Sequence, residues 1–104
     1  MKVKNQKEVK KDEFRKNKSN GHPAYIYAKI GNEYKFIGIT HSEITEGMAN
    51  IKLDKNPNPK DKKTAYARNK IEKGKTNDFK AKEKGWGLSK SDKKKIEKIK
   101  TQSN

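Results

Sequence analysis

The sequence predicts a small α+β domain, in which an antiparallel sheet built on one hairpin is covered by a C-terminal helix. Two runs of β-branched and aromatic residues, AYIYAKI and EYKFIGIT, are separated only by Gly31 and Asn32, a pair that tolerates a tight turn. Near the C-terminus, Ile96 and Ile99 share one face of a helix that begins near Ser89. Strands followed by a helix favour an α+β arrangement.

The length and composition limit the fold to one small domain. A chain of 104 residues supports a single core, and only 28% of the residues are hydrophobic whereas 39% are charged. Residues 1–20 carry few large apolar side chains, so we expect a flexible basic arm there. The alternative is a short helix over residues 8–16, because lysine, glutamate and arginine are adequate helix formers. The domain itself is predicted to span residues 21–104.

The hairpin over residues 24–40 has a predicted register. Pairing across a two-residue turn sets Ile30 opposite Glu33, and continues along both strands in steps of two. The predicted pairs that follow are Ala28 with Lys35, Ile26 with Ile37, and Ala24 with Ile39. This register gives the hairpin one aliphatic face and one aromatic face.

The remaining elements are predicted from shorter patterns. Residues 41–63 read mostly as loop around a strand candidate at Ile51–Leu53, because Asn56–Pro59 is a turn cluster. The segment TAYARNKI alternates in a way that fits either a strand or a short helix, and we favour a strand. Ser89 and Asp92 form a weak capping box at the start of the C-terminal helix.

The charge of the chain indicates a polyanionic partner. The formal net charge is +15, distributed as +5 over residues 1–20, 0 over 21–59, +6 over 60–84 and +4 over 85–104. Such a charge attracts nucleic acid, and RNA is the preferred expectation. Only two of the 28 basic residues are arginines, which argues against base-specific reading of a duplex. Candidate phosphate contacts are Lys62, Lys63, Arg68 and Lys70. The alternative is a lysine-rich surface without a ligand.

The aromatic face of the hairpin is a second candidate binding surface. It carries Tyr25, Tyr27, Lys29, Tyr34 and Phe36. Aromatic side chains on a sheet surface can stack on the bases of single-stranded RNA. The alternative is that these rings form a second core layer, because exposed aromatic patches of this size are uncommon.

The two histidines of the chain are predicted to lie at one edge of the sheet. His22 stands just before the first strand of the hairpin and His41 just after the second, and antiparallel pairing brings those strand ends together. Metal-independent RNA cleavage needs a base for the 2′-hydroxyl, a second acid and a cation, which such an edge can supply. The alternative is that both histidines are exposed and have no role in function. The spacing of the histidines does not suit a metal site.

These residue types on a short antiparallel sheet resemble the toxin-type ribonucleases grouped with barnase, EndoU and RelE. The resemblance covers roughly residues 21–100. It implies that catalysis is carried by His22, Thr40, His41, Tyr66 and Arg68. Barnase has a glutamate as general base, and here Glu43 is the candidate for that role.

Composition also narrows the classes of function. The chain has no cysteine, which excludes disulfides and thiolate metal sites, and no cofactor or metal is expected. It has no apolar run long enough for a membrane helix and its lysine-rich start does not resemble a signal peptide, so we expect a cytoplasmic protein without a membrane partner. Three functions stay open: an RNA-binding protein, a metal-independent ribonuclease, and an interaction protein that grips an acidic protein surface.

Overall fold

The structure, a computed structural model, describes residues 6–102, with side chains described from Glu13 onward. It contains eight strands, one 3-10 turn and one helix in this part of the chain. Their bounds are β1 Gln6–Lys16, β2 Pro23–Ile30, β3 Glu33–Thr40, β4 Ile44–Thr45, β5 Met48–Ala49, β6 Ile51–Lys52, β7 Tyr66–Ala67, β8 Glu72–Lys75, the 3-10 turn Thr76–Asp78 and α1 Lys90–Gln102. The predicted α+β fold class is confirmed.

Strand β3 is the centre of the main sheet. One edge of β3 pairs with β2, and the other edge pairs with β8 over Glu33–Phe36 and with β7 over Ile39–Thr40. Strand β1 adds to β2, and β6 adds to β7, so that all pairs in the sheet are antiparallel. The predicted strand in TAYARNKI is therefore present as β7, whereas β8 has no β-prone pattern in its sequence.

A bulge in β2 changes the predicted register of the hairpin. The pairs Ile30 with Glu33 and Ala28 with Lys35 are as predicted. Beyond Tyr27 the register shifts by one residue, so that Ile26 pairs with Phe36 and Ala24 with Gly38. The remainder of the predicted register is wrong, because a one-residue shift moves every following side chain relative to its partner strand.

The N-terminal segment differs from the expected flexible arm. Residues Gln6–Lys16 form β1 and pair with β2, and the Phe14 side chain is fully buried. Burial of Phe14, pairing with β2, and backbone hydrogen bonds from Lys80 to Lys16 and from Glu83 to Phe14 together hold this segment. Within residues 1–20, the first five lie outside the described residues.

Two clusters of buried side chains form the core. The larger cluster joins the sheet to α1 and consists of Phe14, Ile37, Ile39, Leu53, Ala65, Ala67, Ile96 and Ile99. The smaller cluster, here called the aromatic cluster, consists of Ala24, Ile26, Tyr34, Phe36 and Phe79. The phenyl ring of Phe79 packs edge-on against Tyr34 and Phe36, with ring centroids 5.5 and 5.1 Å apart.

Helix α1 begins where the sequence predicts it. The hydroxyl of Ser89 accepts a hydrogen bond from the backbone N–H of Asp92 at 3.2 Å, which caps the first turn. Ile96 and Ile99 are buried against the sheet, as their spacing predicts. Within residues 6–102, no helix combines the length and the apolar character needed to cross a membrane.

Candidate functional site

The candidate site is a cleft at the edge of the sheet where β2 begins and β3 ends. His22, Thr40 and His41 all line one cavity of about 360 Å³, together with Lys16. The structure thus brings both histidines together, as expected for an antiparallel hairpin. Both imidazoles are exposed. A cavity of this size falls in the range of sites that bind small ligands.

Asp61 holds one of the two imidazoles in the cleft. The Nε2 atom of His41 lies 2.7 Å from Oδ2 of Asp61, and Oδ1 of Asp61 accepts the backbone N–H of Lys63 at 3.0 Å. The hydrogen bond from Lys63 and the contact with His41 hold the pKa of the Asp61 carboxyl below its usual range. The carboxylate is therefore ionised at neutral pH and orients the ring of His41.

The loop that carries Asp61 is shaped by its own side chains. We call residues 54–63 the cleft loop. The side-chain oxygens of Asn56, Asn58 and Asp61 each accept the backbone N–H two residues further along the chain. Such turns are the reason why asparagine and aspartate are frequent in loops. The amide nitrogen of Asn56 also donates to the carbonyl of Lys63 at 3.0 Å, which closes the loop on itself.

A buried carboxylate attaches the start of the cleft loop to α1. Asp92 is completely buried, and its two oxygens accept the backbone N–H groups of Asp54 at 2.7 Å and Lys55 at 3.0 Å. The ammonium group of Lys95 lies 3.5 Å from the same carboxylate. The beginning of the cleft loop is therefore held to the helix by charge-assisted hydrogen bonds.

Arg68 lies in a second cavity that adjoins the first. This cavity of about 220 Å³ shares His22 and Thr40 with the first one. Nη2 of Arg68 is 3.3 Å from a carboxylate oxygen of Glu46, in the turn of the β4–β5 hairpin. The Arg68 side chain crosses β3 at Gly38, where an added Cβ atom would come within 3.1 Å of its Cγ atom. A side chain at position 38 would therefore require Arg68 to shift by a few tenths of an ångström.

Two residues predicted to take part in catalysis, Tyr66 and Glu43, lie outside both cavities. Tyr66 lies opposite Thr40 in the β3–β7 pair but lines neither cavity. Glu43, the candidate general base, is exposed and also lines neither of these two cavities. Asp61 was not identified from the sequence, because it is 20 residues away from His41 and only the closed cleft loop brings the two together.

The predicted aromatic surface is divided between the two sides of the sheet. Tyr34 and Phe36 are each only 9% exposed and belong to the aromatic cluster. Tyr25 packs against Phe14, and the Tyr27 ring lies under the ammonium group of Lys100 at 4.9 Å. Partial burial also raises the pKa of the Tyr27 hydroxyl. The prediction of a continuous aromatic face is therefore wrong. The bulge in β2 turns Tyr25 and Tyr27 away from Tyr34 and Phe36 of β3.

The predicted lysine contacts are spread over the surface. Lys62 and Lys63 are exposed in the cleft loop, next to the candidate site. Lys29 is exposed near the turn at the other end of the hairpin, and Lys70 lies 4.0 Å from Glu72. Of these lysines, Lys62 and Lys63 directly follow Asp61 in the chain, although neither lines the cavity of the histidines.

Comparison of the chain with protein-family models, with curated proteins and with solved structures found no match. The chemistry of the cleft is thus the basis for a functional proposal.

Proposed function

We propose that the protein binds RNA and cleaves it in the cleft, without a metal ion. The observation that carries this proposal is the arrangement of the two histidines. His22 and His41 line the same cavity, and His41 is held by the ionised carboxylate of Asp61. A carboxylate that fixes an imidazole and stabilises its protonated form is a recurring support for a catalytic base.

The cleavage chemistry assigns a proton-transfer role to each histidine. Because Nε2 of His41 contacts Asp61, Nδ1 is the ring nitrogen left for the substrate. In the proposed reaction His41 accepts the proton of the ribose 2′-hydroxyl, whose oxygen forms a bond to the adjacent phosphorus. The bond from phosphorus to the 5′-oxygen breaks, and His22 donates a proton to that oxygen. The products are a 2′,3′-cyclic phosphate and a 5′-hydroxyl.

Cations near the cleft supply the electrostatic part of this reaction. Lys16 lines the same cavity as the histidines, and its ammonium group, which lies 4.0 Å from a carboxylate oxygen of Glu83, is the proposed partner of the charged phosphate in the transition state. Lys60, Lys62 and Lys63 are exposed in the cleft loop and are suited to hold the neighbouring phosphates. Lysine contacts of this kind bind the backbone without selecting a sequence.

The binding step is tested by its dependence on salt. Each lysine–phosphate contact with single-stranded RNA contributes about 0.7 to the slope of log K against log salt concentration. We expect a steep fall of affinity with salt for RNA, measured by fluorescence anisotropy with a labelled oligonucleotide. An affinity that does not change with salt would contradict the proposed binding mode.

The cleavage step is tested in the presence of EDTA. We expect the protein to cut RNA, to leave 2′,3′-cyclic phosphate ends, and to leave DNA intact because DNA lacks the 2′-hydroxyl. His22→Ala and His41→Ala should each lower the rate by about 10²- to 10⁴-fold, the usual contribution of a general acid or base. RNA affinity should change little, because both variants keep the exposed lysines of the cleft loop that hold the phosphates.

The matched control for these variants is Asn77→Ala, an exposed position that lines neither the first nor the second cavity. It should cut RNA at the wild-type rate. If the protein leaves a mixed RNA pool intact at micromolar concentration, or if the double histidine variant cuts as fast as the wild type, the protein does not cleave RNA in this cleft. RNA binding is then the function that the lysines alone support.

A further inference from the structure

The cavity beside the histidines extends beyond the space that a phosphate group needs. Its volume is about 360 Å³, and Trp86, Pro23 and Asn58 line it together with the histidines. A phosphate positioned for proton transfer occupies the part next to the imidazoles. The rest has apolar side chains and the amides of Asn56 and Asn58, a composition suited to a planar heterocycle.

The indole of Trp86 is held firmly in the wall of this cavity. Its ring lies 5.7 Å from the ring of Phe14, measured between centroids, and Phe14 is fully buried in the main core. The ammonium group of Lys16 lies 6.0 Å from the centre of the Trp86 ring. The tryptophan is therefore supported by the core, while part of its surface is exposed.

Asn58 brings a hydrogen-bond donor to the same cavity. Its Oδ1 atom accepts the backbone N–H of Lys60 at 3.0 Å, which fixes the orientation of the amide. Its amide nitrogen has no acceptor among the described residues. The neighbouring Asn56 differs, because both ends of its amide are used inside the cleft loop. Asn58 is thus the asparagine of this loop that is able to bind a ligand.

The segment of Trp86 is attached to the cleft loop. The backbone N–H of Gly87 donates to the carbonyl of Pro57 at 3.2 Å. Trp86 and Asn58 are each one residue away from this hydrogen bond. This bond joins the two segments that carry the ring and the amide, which favours a preorganised binding site.

We propose that this cavity is a nucleobase subsite for single-stranded RNA. An unpaired base packs against Trp86 and Pro23 and accepts a hydrogen bond from Asn58 Nδ2, while the adjacent phosphate lies at the histidines. A base within a duplex cannot enter the cavity, because its edges and faces are covered by pairing and stacking. The subsite rests on the proposed function and makes it selective for unpaired RNA.

Trp86 is the only tryptophan of the chain, so its fluorescence reports on the cavity directly. The probe is a labelled 2′-O-methyl RNA tetramer, which lacks the attacking hydroxyl and is not cleaved. Three ligands are compared at low salt: the tetramer, a tetramer of the same backbone without bases, and a duplex that contains the tetramer sequence. Binding is followed by anisotropy of the label, independently of the tryptophan.

We expect the tetramer to quench Trp86 fluorescence with the same midpoint as its binding. The abasic tetramer and the duplex should bind through their phosphates without this quenching. Trp86→Leu should weaken binding of the tetramer by about tenfold, in line with the usual value of base–aromatic stacking, and should not affect the abasic tetramer. Tyr27→Leu is the matched control, since Tyr27 packs against the same core but lines neither the first nor the second cavity.

A second variant keeps the test valid if Trp86→Leu unfolds the protein. Asn58→Asp retains the oxygen that accepts from Lys60 but loses the amide donor. It should weaken tetramer binding several-fold more than Asn32→Asp, which adds the same charge in the turn between β2 and β3. Equal effects of these two variants would speak against a base contact at Asn58.

The outcomes separate the subsite from the proposed function. Tetramer binding without quenching, or equal quenching by the abasic tetramer, overturns the subsite and leaves RNA binding and cleavage untouched. If none of the three ligands binds at low salt and RNA is not cleaved, the proposed function itself fails and the subsite fails with it.

Discussion

Asp92 and Asp61 each accept backbone hydrogen bonds at opposite ends of the cleft loop, but the two carboxylates differ in burial. Asp92 is completely buried and uses both oxygens on backbone N–H groups of Asp54 and Lys55. The side chain of Asp61 is 24% exposed and uses one oxygen on Lys63 and the other on His41. A buried carboxylate must have all its hydrogen bonds satisfied, whereas a partly exposed one can use an oxygen on a side chain that lines a cleft.

This difference separates a structural site from a functional one. The contacts of Asp92 connect parts of the backbone, so their loss should lower the free energy of unfolding. The contact between Asp61 and His41 connects two side chains at the surface of a cleft, so its loss should alter chemistry rather than stability. Two further carboxylates extend the comparison, because Asp54 is 58% and Glu46 74% exposed.

The largest effect is expected at Asp92. Asp92→Ala removes the buried acceptor of two backbone N–H groups, and hydrogen bonds to a charged group contribute about 1.5 to 3 kcal/mol each. We expect the free energy of unfolding to fall by about 3 kcal/mol or more, measured by urea denaturation. Asp78→Ala removes the same charge from an exposed position and should change stability little. Equal stability of the two variants would show that Asp92 is not a structural link.

At Asp61 the effect should appear in catalysis. Asp61→Asn keeps the size of the side chain but no longer stabilises protonated His41, and removal of such a positioning group costs about 10- to 100-fold in activity. We expect this loss in the rate of RNA cleavage, with RNA affinity and the melting temperature nearly unchanged. We expect a bell-shaped dependence of the cleavage rate on pH for the wild type and a different shape for Asp61→Asn. A large loss of thermal stability would instead assign Asp61 to the same class as Asp92.

A smaller effect is expected at Glu46. Its carboxylate pairs with Arg68 at 3.3 Å and thus competes with phosphates for this guanidinium. Exposed ion pairs are weak, so Glu46→Gln should tighten RNA binding only about two- to fivefold. The control is Glu33→Gln at the opposite end of β3, which changes the net charge by the same amount. If both variants bind RNA equally tightly, Arg68 takes no part in binding.

The smallest effect is expected at Asp54 and depends on pH. Hydrogen bonds from Ser91 and Lys95 lower the pKa of Asp54, and the same carboxylate raises the pKa of Lys95. The pair therefore stabilises the fold above the ordinary aspartate pKa of about 4 and up to the ordinary lysine pKa of about 10. This stabilisation is lost as the pH falls through the folded-state pKa of Asp54, or rises through that of Lys95.

Asp54→Asn should accordingly lower the melting temperature slightly between about pH 5 and pH 10. The difference from the wild type should vanish in strong acid, where the wild-type carboxylate is protonated as well. Thermal denaturation followed by circular dichroism across this range measures it. A difference that persists unchanged at pH 2 would show that the ion pair is not its cause.

The local parts of the fold were predictable because their signals are local. The Gly31–Asn32 turn between two β-prone runs predicts the hairpin, and Ser89 with the spaced isoleucines predicts the helix. The approach of His22 to His41 follows from the hairpin alone, since any antiparallel pair brings its outer ends together. The strong positive charge is likewise a property of the composition.

Other features were decided by contacts between distant parts of the chain. No turn residue in the sequence indicates the bulge at Tyr27, although this bulge determines which tyrosines are buried. β1 and β8 are polar segments that become strands because the edges of β2 and β3 are free to pair with them.

The composition, hairpin and helix of this protein are thus determined by the sequence itself, because each depends on neighbouring residues. The Asp61–His41 pair and the cavity lined by Trp86 depend on how the cleft loop closes and on where α1 holds it through Asp92. These contacts link residues that are 20 or more positions apart, and no local pattern encodes them. Only tertiary packing places an aspartate beside the histidine and a tryptophan in the same cavity.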